Sequence, residues 1–222
     1  MVLAARPFLA LLSVTSPVLA FRSTHRTFHS TSALSMAKQV LVPISDGSEE
    51  IETTCITDTL TRFGAKVTIA SVKPDGDLLC TMSRGIKVQA DATIAEAATQ
   101  EWDLIALPGG MPGAAHLRDS EPLMDLLKKQ KSSQKMYGAI CAAPAVALAS
   151  QGLIAESAEA TCYPAPQFRE TLSKVSEKAV VVADNLTTSQ GPGTALQFAL
   201  SLGEQLFGKE ARDKIAKEML VD

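Results

Sequence analysis

The stretch "GAICAAPAVALAS", from Gly138 to Ser150, sets one cysteine between a short apolar run and a segment that can open a helix at Pro144. Free cysteine packs like a small hydrophobe, so Cys141 reads either as buried filler or as a nucleophile. A strand that turns sharply into a helix exposes the turn residue above the sheet, provided its neighbours are small. Gly138, Ala139, Ala142 and Ala143 meet that condition. Proline suits the first helical turn, where its missing N–H has no intrahelical partner in any case. Cys141 would then face a helix N-terminus, whose free N–H groups favour thiolate over thiol.

A second candidate lies in "SEEIETTCITDTLTRF". Ile56, Leu60 and Phe63 form a helical stripe with Glu52 one turn before it, while Glu50, Thr54, Thr57, Asp58 and Thr61 share the polar side. Glu49 and Glu50 complement the positive end of that helix. Glu52 admits the same role, or a different one: partial burial would raise its pKa and leave it protonated, able to donate a hydrogen bond to a thiolate. The backbone N–H groups of Gly110, in "PGGMPGA", and of Ala142, just after the cysteine, outline an oxyanion hole. Consecutive glycines also suit a tight turn, and the pattern leaves both readings open.

These residues need a frame. Short apolar runs at 38–44, 66–72, 103–109, 135–140, 159–164 and 179–185 read as buried strands. Segments 49–63, 120–131, 143–151 and 191–207 carry apolar residues at three- and four-residue spacing, "FGKEARDKIAKEML" supplies a last helix, and 77–90 reads as a hairpin. The alternation predicts an α/β fold, an open and mostly parallel sheet with helices on both faces, in one domain over 36–222. Ligands in such sheets sit beyond the carboxyl ends of the strands. The segments "SDGSEEIE", "PGGMPGA" and "CAAPA" all fall there, so they can be neighbours in space. Neither "GGMPG" nor "GPGTAL" has the spacing of a nucleotide-binding loop.

The first 45 residues hold no Asp or Glu, whereas all 24 acids follow. Residues 1–35 read as a targeting leader: "MVLAARPFLALLSVTSPVLA" resembles a secretory signal, and "FRSTHRTFHSTSALSMA" resembles a transit peptide. The pair predicts a plastid of secondary endosymbiotic origin, with a mitochondrion as the alternative. Loss of the leader removes three arginines and takes the net charge from −3 to −6, which disfavours nucleic acid as a partner. After the leader, no apolar run approaches membrane-spanning length. Cysteines 55, 80, 141 and 162 have no C-x-x-C spacing, and His116 is the only histidine beyond the leader, so no metal site is expected.

Taken together, "LPGGMPGA", "AICAAP", "SEEIE" and "TSQGPGTA" resemble the DJ-one/ThiJ/PfpI superfamily over nearly everything after Met36. "AICAAP" resembles the branch that includes the Parkinson-disease protein and bacterial ThiJ-like proteins. The PfpI protease group has His directly after its cysteine, where this chain has Ala142. The resemblance implies a flavodoxin-like fold, usually a homodimer, needing no cofactor. It implies that Cys141 is the reactive cysteine, that Glu52 is the protonated acid touching it, and that Gly110 and Ala142 are the oxyanion donors. Gly109, Tyr163, Arg84 and Arg62 match substrate-binding or anion-binding positions, although solvated surface charge is a second reading for both arginines. The activities implied are glutathione-independent glyoxalase, which converts the small dicarbonyl methylglyoxal to lactate, or a related deglycase. Redox sensing through Cys141 and chaperone activity form the alternative. Where many members carry His before the proline of "TCYPAP", this chain has Tyr163, which can either hydrogen-bond substrate or pack. Cys162, beside it, is a candidate resolving thiol, and His116 reads as a surface residue.

Overall fold

A computed structural model describes residues 37–221 and the first two residues of the chain. The leader expected over 1–35 lies almost wholly outside the described residues.

The strands and helices alternate as the periodicity predicts. β1 (Gln39–Ile44), α1 (Glu50–Arg62) and β2 (Lys66–Ser71) open the fold. The hairpin β3 (Leu79–Thr81) and β4 (Lys87–Gln89), the short β5 (Ala92–Thr93) and α2 (Ile94–Ala97) follow. Next come β6 (Leu104–Leu107), α3 (Gly113–Asp119), α4 (Glu121–Ser132) and β7 (Met136–Ile140). A π-helical turn, Pro144–Leu148, leads past α5 (Pro166–Arg169) to β8 (Val180–Ala183), β9 (Leu186–Ser189), α6 (Ala195–Phe207) and α7 (Lys209–Glu218). The seven-stranded sheet has the order β5-β2-β1-β6-β7-β9-β8. Every pairing in it is parallel except that of β8 with β9. β1, β6 and β7 are almost wholly buried, as strands covered on both faces must be.

Two strand expectations change. The run 179–185 holds β8, but as an antiparallel edge strand: Asp184 takes φ 53°, turning the chain at Asp184–Asn185 so that the following β9 lies antiparallel to β8 and is the strand that pairs with β7. The run 159–164 joins no strand of the sheet, making only an isolated bridge from Ala160 to Val175. Its apolar residues are buried all the same, Ala160 and Cys162 packing with Ala145 and Leu172 in a small separate cluster. Burial gave that run a strand's composition without a strand's partner. Helix α3 was hidden by its glycine-rich start.

α1 is held against α6 by close contact. A Cβ on Gly203 would sit 2.2 Å from the Phe63 ring, and Phe63 stacks on Phe207 at 5.6 Å. Ile56 and Leu60 are fully buried on the same face, and this fixes the rotation of α1 and hence the direction of Glu52. Among the described residues, no helix is long and apolar enough to cross a membrane.

Candidate active site

The sheet reverses its order between β1 and β6, since the chain leaves β1 toward β2 and later returns to β1's other side. Loops 45–49 and 108–112 meet above this crevice at backbone distance. A Cβ on Gly47 would lie 2.4 Å from Pro112 Cδ, one on Gly110 2.4 Å from the Gly47 oxygen, and one on Gly113 2.4 Å from the Ser48 nitrogen. Gly47 and Gly110 also take φ of 80° and 83°, so both conformation and space require glycine there. The Met111–Pro112 peptide between them is cis.

Cys141 is the residue after β7. Its N–H donates to the Ser189 carbonyl at 3.0 Å, prolonging the β7–β9 pairing, and the chain then turns with φ 66° at Cys141 itself. A left-handed conformation costs a non-glycine residue roughly 1–2 kcal/mol, and the residues on either side hold it in place. Gly109 permits this turn, because a Cβ there would be 2.7 Å from Cys141 Cβ and 2.9 Å from the Ala142 nitrogen. The segment beyond is a π turn and a short 3₁₀ turn, Ala149–Gln151, instead of the regular helix expected over 143–151. The polarity acting on sulfur therefore comes from individual N–H groups, those of Gly110 and Ala142, which favour the charged form of Cys141.

Glu52 is fully buried. Glu49 caps α1, its carboxylate accepting the Glu52 N–H at 2.7 Å, while the Glu49 N–H donates to the Gly109 carbonyl at 3.0 Å. The Gly109 N–H in turn donates to Glu52 Oε2 at 2.7 Å, which leaves Oε1 buried without a hydrogen-bond partner among the described residues. Burial raises the Glu52 pKa to about 7, against the Gly109 N–H and the neighbouring Cys141 thiol. Burial and the charge of an ionised Glu52 push Cys141 up to about 12, against the Gly110 and Ala142 N–H groups. The two groups lie close enough for each to shift the other, so they titrate as a pair. When one proton remains between them, desolvation of the carboxylate favours it on Glu52, as do the Gly110 and Ala142 N–H groups beside the sulfur, while the Gly109 N–H and the Cys141 thiol favour the carboxylate.

Glu50 was expected to face solvent, but it is 5% exposed. Its carboxylate accepts the Ser83 hydroxyl and the Arg84 N–H, both at 2.7 Å, and these bonds hold it below the usual carboxylate range despite the opposing effect of burial. It thus ties the β3–β4 turn to the start of α1. Nothing local in the sequence couples positions 50 and 83; only the tertiary fold brings them together.

The remaining candidates separate. Tyr163 adjoins the nucleophile, its N–H donating to the Cys141 carbonyl at 2.8 Å. Cys162 is buried with its Sγ 3.5 Å from the Tyr163 carbonyl, and burial raises its pKa to about 11, which makes it a poor thiolate for resolving an oxidised partner. All four cysteines are free thiols. Arg84 reaches the α1 start through its backbone, while its exposed side chain donates to the Ser83 carbonyl at 3.2 Å. Arg62 corrects the expectation for it: it ends α1, ten residues and roughly 15 Å of helix beyond Glu52, exposed and paired with Asp58 at 2.7 Å. It does not line the Cys141 site of its own chain. His116 is exposed on α3, its Nδ1 donating to the Asp46 carbonyl at 3.1 Å. It borders a cavity of about 600 Å³ with Ser45, Lys73, Ile94 and Ser120, whose lining includes neither Cys141 nor Glu52. Among the described residues no cluster of His, Cys, Asp and Glu could hold a metal ion.

Comparison with known proteins accords with this geometry. Residues 38–205 match the DJ-1/PfpI family. "Protein DJ-1 homolog B" of Arabidopsis thaliana is 44% identical over 183 residues, which is 82% of this chain and 41% of the relative, so the chain spans less than half of that protein. "Glutathione-independent glyoxalase DJR-1.2" of Caenorhabditis elegans is 35% identical over 182 residues, 81% of this chain and 94% of the relative. The solved structure described as "Toxoplasma gondii DJ-1, oxidized" superposes with a TM-score of 0.79 at 43% identity, covering 83% of this chain and 99% of that one. A seven-stranded, mostly parallel, flavodoxin-like sheet with a buried acid beside an elbow cysteine is thus joined to a match along most of the sequence, and the chain belongs to the DJ-1/PfpI family.

Proposed function

We propose that the protein is a cysteine-dependent, glutathione-independent glyoxalase that converts methylglyoxal and related dicarbonyls to hydroxy acids. The observation that carries this reading is the buried Glu52 carboxyl, held by the Gly109 N–H and coupled to the neighbouring Cys141 thiol. The thiolate of Cys141 adds to the aldehyde carbon, the carbonyl electron pair passes to oxygen, and a proton makes the hemithioacetal. Removal of the proton from that carbon and its return to the neighbouring carbonyl carbon yields a hydroxy-thioester, with no external oxidant or reductant. Glu52 supplies the hemithioacetal proton, and the carboxylate it becomes is the group placed to take the carbon-bound proton and return it to the neighbouring carbon. Water then cleaves the thioester, releasing the hydroxy acid and the thiolate. The named glyoxalase among the relatives supports this chemistry.

Purified protein should form lactate from methylglyoxal without glutathione, and Cys141→Ser should reduce the rate to that of buffer. Lactate formation that survives Cys141→Ser would sink the proposal. Redox sensing is the second reading, favoured by the relative solved in an oxidised form; it predicts a peroxide-dependent gain of oxygen on Cys141 and no lactate.

We further propose a homodimer and a mature chain that starts between about Phe21 and Lys38 in a plastid. Ile51 on α1 and Ile86 in the β3–β4 turn, which the Glu50 clamp ties to the start of α1, are each more than half exposed and suit a self-association face. Intact mass and light scattering on protein from its own cells would test both, and retained Met1 or a monomer mass at micromolar concentration would count against the respective claim.

A further inference from the structure

The chain beside Cys141 carries an aromatic ring that the catalytic steps above leave unused. Tyr163 is anchored through its backbone to Cys141, and its neighbour Cys162 turns inward at 3% exposed while Tyr163 turns outward at 45%. Its hydroxyl makes no hydrogen bond among the described residues, whereas that of Tyr137 donates to the Leu153 carbonyl at 2.7 Å. The ring is nevertheless held in place: Phe168, half-buried at α5, meets it edge-on at 6.3 Å and 82°. On another side stands Gly191, where a Cβ would be 3.5 Å from Tyr163 Cδ2 and 3.9 Å from Cε2. Any larger side chain at 191 would cover that edge. Gly193, two residues on, has nothing within 4 Å of where its Cβ would be.

From these observations we propose that Tyr163, braced by Phe168 and left uncovered by Gly191, is a specificity-determining wall that favours dicarbonyl substrates bearing a flat apolar substituent, the aryl glyoxals, over methylglyoxal. An exposed, oriented ring on the segment whose backbone is bonded to that of the nucleophile offers a stacking surface to a flat substituent and nothing comparable to a methyl group. Stacking of this kind contributes roughly two- to tenfold in relative rate. Tyr163→Phe, which keeps the ring and removes the hydroxyl, separates the effect of the ring from that of its polar tip. The inference rests on the glyoxalase reading for its substrate, and the test separates the two.

The experiment compares kcat/KM for phenylglyoxal and methylglyoxal in the full chain and in Tyr163→Ala, Tyr163→Phe and Gly191→Val. The phenyl-to-methyl ratio should fall roughly two- to tenfold in Tyr163→Ala, stay within roughly twofold in Tyr163→Phe, and fall in Gly191→Val. A second measurement needs no turnover: alkylation of Cys141 by N-phenyliodoacetamide against iodoacetamide, in which the sulfur–carbon bond forms as iodide leaves, followed by peptide mass mapping. The same change in ratio is expected in each variant. An unchanged alkylation ratio in Tyr163→Ala overturns the inference, and so does a ratio that falls as far in Tyr163→Phe. Absence of turnover with both dicarbonyls, with the alkylation ratio falling as expected, would refute the glyoxalase reading and leave the aryl-selective wall standing.

Discussion

Replacing Glu52 by leucine should raise the pKa of the Cys141 thiol by roughly one to two units, because the change removes a donor from the thiolate. The opposite sign is also physically available. An ionised Glu52 pushes Cys141 up, and removing that charge would lower the thiol pKa. The sign therefore reports where the proton sits. The rise is expected because the sulfur has the Gly110 and Ala142 N–H groups and full burial penalises the carboxylate more than the larger, softer thiolate. Thiolate absorbance near roughly 240 nm, titrated in wild type, Glu52→Leu and a Cys141→Ser blank, measures it. A fall or no change removes the protonated-acid mechanism. Stability supplies an independent reading. In the unfolded chain Glu52 loses its proton near 4.5, whereas in the fold the pair keeps it to about 7. The folded state then binds the extra proton between these values, so its stability declines as pH rises through that window, by about 3 kcal/mol, and levels off above it. Glu52→Leu should lack that decline when urea midpoints are compared from pH 4 to 8.

The second large effect is structural. Gly110→Ala should destabilise the fold by on the order of 3–5 kcal/mol, combining the cost of a left-handed alanine with that of overpacking. The Cβ would meet the Gly47 oxygen at 2.4 Å and the Glu49 nitrogen at 2.7 Å, both of them backbone atoms that no rotamer change can move aside. Any relief must shift the loop that caps α1, and Glu52 moves with it. Gly64→Ala is the informative control: it has a similar φ of 88° but open space around its Cβ, so it should cost only the conformational part, roughly 1–2 kcal/mol. Denaturant unfolding of the two variants separates strain from collision. Equal losses would show that the close approach of the two loops does not constrain Gly110.

Local pattern alone made much of this protein legible. The apolar runs at 38–44, 66–72, 103–109 and 135–140 each contain a parallel strand, three of them buried almost throughout, and the stripe of Ile56 and Leu60 correctly turned Glu52 inward, because periodicity records which face of an element meets the core. Small residues around Cys141 and the glycines at 109 and 110 marked a crowded backbone, which the structure places where the ends of β6 and β7 meet. Pattern failed where burial and hydrogen-bond partnership part company. The run at 159–164 is apolar because it packs beneath the π turn, not because it pairs, while β9, "LTTS", is polar in composition yet fully buried beside β7. Long-range pairing was equally silent: the Glu50 clamp to Ser83 and Arg84, and the remoteness of Arg62, depend on distances between segments far apart in the chain. The residue types at the site belong to the sequence. Their protonation does not, since whether Glu52 keeps its proton depends on the desolvation and the single Gly109 N–H that only the assembled fold provides.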